Sequence, residues 1–300
     1  MEAIRESHHA AAAQPARRIS MRTSGRPHGH MMRLAGPSDI GHAIKPFVLL
    51  DRFVFEAHKP LHFPMHPHSG VATLTTLLDG SLHFVDMRGA PCTLLPGATN
   101  WIHAGRGMWH GGAYMGSGEV RGYHLWIALP PALELAEPTE QVFAADRIPV
   151  EGPARVLLGA YNGAQSPLDA PAPMTCLHVE LDAGETWRYE PPAGHDVLWI
   201  AVYSGSLDAG ERVEADELVV FEPGTHSVDF RAHSSCGFML GSAQHSPFEV
   251  VEGYFSVHTN AAALRFAEVE IARLAFELRK EGRLDAEQAA NVTRKMRLGA

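Results

Sequence analysis

The fold is decided by LHFPMHPHSG, residues 61–70, and by WIHAGRGMWHGG, residues 101–112. Between them lie two apolar, β-branched segments that are joined by Asp79-Gly80, a typical hairpin turn. Further short strand patterns, separated by proline and glycine, continue to about residue 129. Many short strands at regular spacing are typical of a jelly-roll sandwich or barrel.

Three histidines in these segments have the spacing of a metal site. His66 and His68 lie two residues apart on a predicted strand, so both imidazoles point to one face. Closure of the barrel would bring His110 across to them. Three imidazoles suit one first-row transition metal ion, such as Fe(II), Mn, Ni, Cu or Zn, and leave positions for water, oxygen or substrate. The alternative is a cluster of surface histidines.

The second half of the chain resembles a copy of the first. Residues 73–82 align with residues 198–207, and both copies continue to a Pro-Gly pair, at residues 96–97 and 223–224. Carried by the same offsets, the three histidines fall on residues without an imidazole: Pro191, Ala193 and Gly237. We therefore expect the second barrel to keep the scaffold and to lack the metal site.

Changes of pattern along the chain predict five regions. An apolar stripe of period 3.6 from Leu264 to Leu278 indicates a C-terminal helix, which Gly282 ends and which a shorter helix capped by Asp285 follows. The regions are a flexible N-terminal tail (1–20), a first barrel with the metal site (21–135), a connector with a few strands (136–172), a second barrel without metal ligands (173–258) and a C-terminal helical segment (259–300).

The composition is that of a globular chain long enough for two domains. Of its 300 residues, 45% are hydrophobic and 20% are charged. The formal net charge of −9 argues against direct nucleic-acid binding, and no segment reaches the ~20 apolar residues that span a membrane. Three widely spaced cysteines and the lack of a secretion signal predict a reduced, cytoplasmic protein.

The motifs resemble those of the pirin family, which belongs to the bicupin branch of the cupin superfamily. The matching residues are 46–53, the HPHSG block at 66–70, Asp79-Gly80, Pro96-Gly97 and the W-x-x-A-G-R-G-x-x-H block at 101–110. The resemblance covers roughly residues 30–280. It implies an all-β protein of two cupin-type jelly-roll β-barrels with a C-terminal α-helical segment, and a metal, commonly iron, in the N-terminal barrel.

The resemblance also implies two activities, which are dioxygenation of flavonols such as quercetin and a redox-dependent role as a transcriptional co-regulator. The family's metal ligands fall on His66, His68, His110 and Gly112, where the family has glutamate. Ala72 replaces a second glutamate of the pattern. Because a flavonol hydroxyl must lose its proton, and a nearby carboxylate is the usual base, these two replacements weaken the expectation of quercetin 2,3-dioxygenase activity.

Two alternatives would restore the chemistry of such a site. The metal could be held by three histidines alone, or a local residue could supply a further ligand or the base. His103, where the family usually has threonine, is the first candidate for that residue and His62 is the second. We therefore predict an iron-dependent dioxygenase of a small aromatic or enolisable substrate. The competing hypotheses are a non-enzymatic metal-bound redox sensor or co-regulator with a protein partner, and a site without metal.

Overall fold

A computed structural model describes residues 17–56, 61–85, 89–114 and 119–298, without the side chains of residues 61–63, 85, 112–114 and 297–298. The strands of the first half are β1 (Ile19–Thr23), β2 (Arg26–His28), β3 (Met31–Ala35), β4 (Phe47–Glu56), β5 (Leu61–His68), β6 (Val71–Asp79), β7 (Leu82–Val85), β8 (Pro91–Leu94), β9 (Thr99–His103), β10 (Met108–Tyr114), β11 (Glu119–Ala128) and β12 (Thr139–Phe143).

The strands of the second half are β13 (Val150–Glu151), β14 (Ala154–Leu158), β15 (Ala160–Tyr161), β16 (Ala164–Gln165), β17 (Met174–Leu181), β18 (Thr186–Tyr189), β19 (Val197–Ser204), β20 (Ser206–Asp208), β21 (Arg212–Glu214), β22 (Leu218–Phe221), β23 (Val228–Ala232), β24 (Cys236–Ala243), β25 (Val251–Glu252) and β26 (Val257–His258). The helices are α1 (Ile40–Ala43), α2 (Ala261–Lys280) and α3 (Ala286–Leu298), with a 3-10 turn at Ala145–Arg147.

Two seven-stranded sheets form the body of the molecule. The first has the order β12-β9-β6-β11-β4-β3-β2, and the second has the order β1-β22-β19-β24-β17-β14-β13. The pairs β5-β10 and β7-β8 complete the first barrel, and the sheet β18-β23-β20-β21 completes the second. The predicted fold of two jelly-roll barrels with a C-terminal helical segment is confirmed.

A shared apolar core joins the two large sheets. Leu74 and Tyr123 of the first sheet pack with Trp199 and Met239 of the second, and all four side chains are buried. Each such side chain contributes about 1.5–3 kcal/mol when it is fully buried. Side chains alternate along β6, so Ala72 and Leu74 enter this core while Val71 and Thr75 face the interior of the first barrel.

The edge strands cross the predicted region boundaries. Strand β1 pairs with β22 of the second sheet, although it extends into the region predicted as the first barrel. The segment predicted as the connector supplies β12 to the first sheet, where it pairs with β9, and β14 to the second, where it pairs with β17. The domain boundaries themselves stay predictions.

The duplication is visible in the strand order, but the sequence offsets misplace the counterparts. Strands β6 and β19 hold the same position in their sheets, and Gly80 and Gly205 after them both have positive φ. The loops differ in length, however, because residues 69–70 join β5 to β6 whereas residues 190–196 join β18 to β19. By strand pairing, the counterparts of the three histidines are Trp187, Tyr189 and Phe230. The positions given by the sequence offsets, which are Pro191, Ala193 and Gly237, are therefore not the counterparts.

The C-terminal helices begin and end as predicted. Asn260 caps α2 by accepting hydrogen bonds from the amides of Ala262 and Ala263, and Asp285 accepts one from Gln288 at the start of α3. The indole of Trp109 on β10 packs against this segment and donates to the carbonyl of Ile271, at 3.0 Å. Among the described residues, none of the helices combines the length and the apolar character that a membrane crossing requires.

Candidate metal centre

The pairing of β5 with β10 brings the three predicted histidines together. His66 lies directly opposite His110, and His68 lies opposite Met108. The register shifts just after His110, where Gly111 adopts a φ of +143°. Because His66 and His68 are two residues apart on one strand, their rings and that of His110 share the inner face of the barrel.

The three imidazoles are close enough to bind one ion. The ring centroids of His66 and His110 are 4.4 Å apart, those of His68 and His110 are 4.8 Å apart, and those of His66 and His68 are 4.9 Å apart. One nitrogen of each ring lies within 4.8 Å of the other two. No other cluster of three or more potential metal ligands occurs in the described part of the chain.

Backbone carbonyls fix the tautomers of two of these rings. His66 Nδ1 lies 2.9 Å from the carbonyl oxygen of Pro64, and His68 Nδ1 lies 3.1 Å from that of Phe255. A carbonyl oxygen only accepts, so each Nδ1 carries the proton and donates it. The Nε2 atoms of His66 and His68 are therefore the unprotonated nitrogens, which is the state that binds a metal ion.

Two of the Nε2 atoms are available to bind an ion. Those of His68 and His110 are buried and have no hydrogen-bond partner among the described residues. Burial lowers the pKa of all three histidines, and the neighbouring imidazoles lower the pKa of His68 and His110 further, to well below the ordinary value. Buried, neutral and unpartnered imidazole nitrogens that converge on one point fit a divalent transition metal.

The segment before α2 holds the His68 end of the site in place. Gly70 has a φ of +69°, and a side chain at this position would collide with the carbonyl of Val257. Ser69 Oγ lies 2.7 Å from Ser256 Oγ and 2.9 Å from His258 Nε2, all inside the protein. This close packing positions the carbonyl of Phe255 that orients His68.

A buried carboxylate anchors that segment from the other side. Glu134 accepts hydrogen bonds from Thr259, through both its amide and its hydroxyl, and lies 3.1 Å from His258 Nδ1. Burial lowers the pKa of His258, and Glu134 raises it by a smaller amount. The arrangement of serine, histidine and glutamate resembles a hydrolytic triad, but Ser69 is completely buried, so its role is to hold the segment.

A cavity opens from the histidines to the solvent. His66 and His110 lie in its wall, and its described walls are otherwise mostly apolar. The apolar lining residues are Met31, Phe53, Phe55, Leu82, Phe84, Leu94 and Ile102. Polar side chains in the lining are those of Thr75, Asn100, His124 and Glu140.

His124 is part of the wall, as its position on a barrel strand predicts. Its Nε2 accepts a hydrogen bond from Trp126 Nε1 at 2.8 Å, so its Nδ1 carries the proton and donates to Thr75 Oγ1 at 2.8 Å. Burial lowers the pKa of His124 to about 4. The Trp126 ring meets His68 edge to face, with centroids 4.8 Å apart. Both nitrogens of His124 are therefore engaged, and Trp126 contacts both His124 and His68.

The other candidate site residues have different positions. His103 does not line the cavity, because on β9 Asn100 and Ile102 face the cavity while Trp101 enters the shared core, and His103 alternates with Ile102. His62 pairs with Ala113 on β5, but its side chain lies outside the described residues. Gly112 lies on β10 opposite Phe63.

Ala72 requires a correction. It packs in the core between the barrels, so a carboxylate at this position would point away from the three histidines. The expectation that Ala72 removes a base from the metal site is therefore wrong for this chain. The turn at Ser69-Gly70 interrupts the alternation that would otherwise place residue 72 on the same face as His68.

Sequence reasoning missed the groups that surround the histidines. Glu140 lies in the predicted connector, and the Phe255 carbonyl is a backbone atom 187 residues from His68. The residue types give no signal for the contact of Glu140 with the cavity, and nothing in the segment at 255–259 indicates its contact with His68.

Comparisons with known proteins find relatives of this chain both by sequence and by structure. A family model described as Pirin matches residues 26–127. A pirin-like protein of Caulobacter vibrioides is 31% identical over 215 residues, which are 66% of this chain and 73% of the relative. A quercetin 2,3-dioxygenase structure from Acinetobacter baumannii has a TM-score of 0.78 at 20% identity and covers 86% of this chain and 98% of its own.

A bacterial pirin of Escherichia coli, solved in complex with nickel(II), has a TM-score of 0.60 at 19% identity. The match covers 73% of this chain and 94% of that protein. At these identities the two solved structures establish the shared fold.

Proposed function

Because the chain belongs to the pirin family, we propose that it is a metal-dependent oxidoreductase of the quercetin 2,3-dioxygenase type. The observation that carries this proposal is the convergence of three neutral imidazoles, those of buried His68 and of half-buried His66 and His110, at an apolar cavity. The proposed ion is Fe(II), with Mn, Ni, Cu and Zn as alternatives. The nickel(II) complex of the Escherichia coli pirin supports a first-row metal in this fold.

The proposed substrate is a small aromatic or enolisable compound. The cavity has mostly apolar walls with a few polar side chains, which is the lining typical of small-molecule sites. Phe53, Phe55 and Phe84 in its wall suit a planar ring, because aromatic rings pack face to edge or with an offset. A bound metal ion would supply the Lewis-acid and redox chemistry that a dioxygenase requires.

The residues of the chain have three parts in this proposal. His66, His68 and His110 present neutral nitrogens, and the Pro64 and Phe255 carbonyls keep two of the rings in the required tautomer. The apolar walls limit access of water to the reacting atoms. At a pH above the ordinary pKa of histidine the three imidazoles are already neutral. None of them then has to lose a proton before a metal ion binds.

The competing function is a non-enzymatic, metal-bound redox sensor or transcriptional co-regulator with a protein partner. It is favoured by Gly112, which stands where the family has a metal-binding glutamate and can neither ligate nor take a proton. A site with three neutral ligands and no adjacent carboxylate would still hold an ion.

Metal analysis of the chain purified without a histidine tag tests the proposal. We expect one transition metal ion per chain in the wild type and in the control His83→Ala, whose histidine is exposed and bonded to Thr93. His110→Ala should lower the metal affinity by more than about 100-fold, since even changes to groups behind the ligands cost roughly 10- to 100-fold. A wild type without metal would overturn the proposal.

Oxygen uptake then separates the two functions. Metal-loaded protein is mixed with quercetin and with simpler enolisable compounds. Uptake that His110→Ala abolishes supports the oxidoreductase. A flat trace across the panel, from protein with a full metal content, favours the sensor.

A further inference from the structure

Glu140 is the single carboxylate among the described residues that line the cavity. It lies on β12, opposite Ile102 of β9, and its side chain shares the inner face with Ile102 and Asn100. The same cavity reaches His66 and His110. A ligand that fills the cavity would therefore contact both the histidines and Glu140.

Asn100 holds the Glu140 side chain in position. Its Nδ2 donates to Glu140 Oε1 at 2.8 Å, and Asn100 is itself only 5% exposed. Asn100 lies opposite Thr75 on β6, whose hydroxyl is bonded to His124. These polar side chains thus form a row on a cavity wall that is otherwise apolar. In small-molecule sites, polar side chains in an apolar lining fix the orientation of the ligand.

The other titratable groups of the described cavity wall are His66, His110 and His124, and each already has another role. Both nitrogens of His124 are engaged, and the Nε2 atoms of His66 and His110 are the proposed metal ligands. Glu140 therefore remains as the acceptor in contact with the cavity.

We propose that Glu140 is the catalytic base of this cavity and takes the proton of an acidic hydroxyl on a planar aromatic or enol substrate. This inference rests on the proposed function and names the base that the family places elsewhere. The substrate O–H bond breaks, its electron pair stays on the substrate oxygen, and the carboxylate becomes a carboxylic acid. No electrons are exchanged with another group in this step. Substrates that carry a carboxylate are disfavoured by repulsion from Glu140.

The rate at which quercetin ionises in the site tests the proposal. Metal-loaded protein is mixed with quercetin without oxygen, and formation of the ionised flavonol is followed by its absorption in a stopped-flow instrument. In the wild type the ionised flavonol should form quickly, because Glu140 takes the proton of the bound hydroxyl and passes it to the solvent. In Glu140→Gln it should form roughly 10²- to 10⁴-fold more slowly, because no carboxylate accepts the proton.

Matched variants distinguish a base from a structural residue. Glu137→Gln makes the same chemical change three residues earlier, at an exposed side chain paired with Arg106, and should behave as the wild type. Glu140→Asp should restore the rate of quercetin ionisation in part. If oxygen-dependent turnover is detected, Glu140→Gln should reduce it by roughly 10²- to 10⁴-fold.

Equal rates of quercetin ionisation in the wild type and in Glu140→Gln would overturn the assignment of Glu140, as would the failure of quercetin to bind. Unchanged turnover in Glu140→Gln would overturn it as well, while the proposed dioxygenase function would stand. Quercetin ionisation that depends on Glu140, without any oxygen uptake, would have the opposite meaning. The dioxygenase function would then fail, and Glu140 would remain the base of a binding site.

Discussion

The two barrels have the same strand order and opposite interiors. In the first barrel the pair His66 and His110 faces a cavity, whereas the corresponding pair in the second barrel is Trp187 and Phe230. These two rings stack with centroids 5.7 Å apart, and Phe238 packs against Phe230. One scaffold therefore carries a site in one copy and a filled core in the other.

The difference shows what the first barrel gives up in stability. Each buried Nε2 atom without a partner costs about 1–3 kcal/mol, whereas each buried aromatic ring of the second barrel is stabilising. A fold keeps such unpartnered atoms where a ligand satisfies them. We infer that the second barrel supplies stability to a molecule whose first barrel is shaped for binding.

Removing an aromatic ring from the second barrel should have the largest effect. We expect Phe230→Ala to lower the free energy of unfolding by about 3–5 kcal/mol, because the ring is fully buried. The metal content should stay at the wild-type value. Urea unfolding and elemental analysis measure the two quantities. Phe84→Ala, at a half-buried position in the open cavity, should cost less; loss of metal from folded Phe230→Ala would contradict the division between the barrels.

Acid should destabilise the metal-free first barrel through His124. The unfolded chain binds a proton here near pH 6.5, and the folded chain binds it only near pH 4. Stability that is present above pH 6.5 is therefore lost as the pH falls toward 4, by about 3 kcal/mol in total. The counterpart in the second barrel is Leu240, which lies opposite Ile200 as His124 lies opposite Thr75, and it does not titrate.

His124→Gln tests this difference. Between pH 6.5 and 4, in the presence of a chelator, the variant should lose stability less steeply than the wild type, by about 1.4 kcal/mol per pH unit. The exposed His83→Gln serves as the control and should follow the wild type. Parallel profiles for His124→Gln and the wild type would show that His124 is not the acid-sensitive group.

Most of the fold and the three histidines could be predicted from the sequence, because both depend on short periods. Alternation along β5 places His66 and His68 on one face, and the period of 3.6 and the caps define α2. The sequence also placed residues without an imidazole at the counterparts of the three histidines, and strand pairing places Trp187, Tyr189 and Phe230 there. Their counterparts were misplaced because offsets along a sequence do not survive loops of different length.

The surroundings of the histidines could not be predicted, because tertiary contacts determine them. Glu140 reaches the cavity because β12 pairs with β9 at the edge of the first sheet. The sequence of a five-residue strand does not by itself determine which sheet the strand joins. The Phe255 carbonyl offers no side-chain signal. Ala72 was misplaced because the positive φ of Gly70 reverses the facing of the residues after it.

Metal binding should stabilise the first barrel only. A free metal concentration of 100 times Kd should raise the free energy of unfolding by about 2.7 kcal/mol in the wild type. Phe230→Ala should gain the same amount from a lower starting value, whereas His110→Ala should gain nothing at that concentration. Unfolding with and without metal measures the gain. An equal gain in His110→Ala would place the binding site elsewhere in the chain.

The smallest effect is expected from the indole of Trp126, which contacts His68 and His124. Trp126→Phe keeps a ring beside His68 and removes the Nε1–H donor to His124 Nε2, which should cost about 0.5–1.5 kcal/mol at neutral pH. Without that donor, His124 Nε2 can take a proton more easily, so the pKa of His124 rises toward its ordinary value. The variant should then lose less stability than the wild type between pH 6.5 and 4. An unchanged acid profile would show that Trp126 does not fix the tautomer of His124, and the contrast with Leu240 would then rest on burial alone.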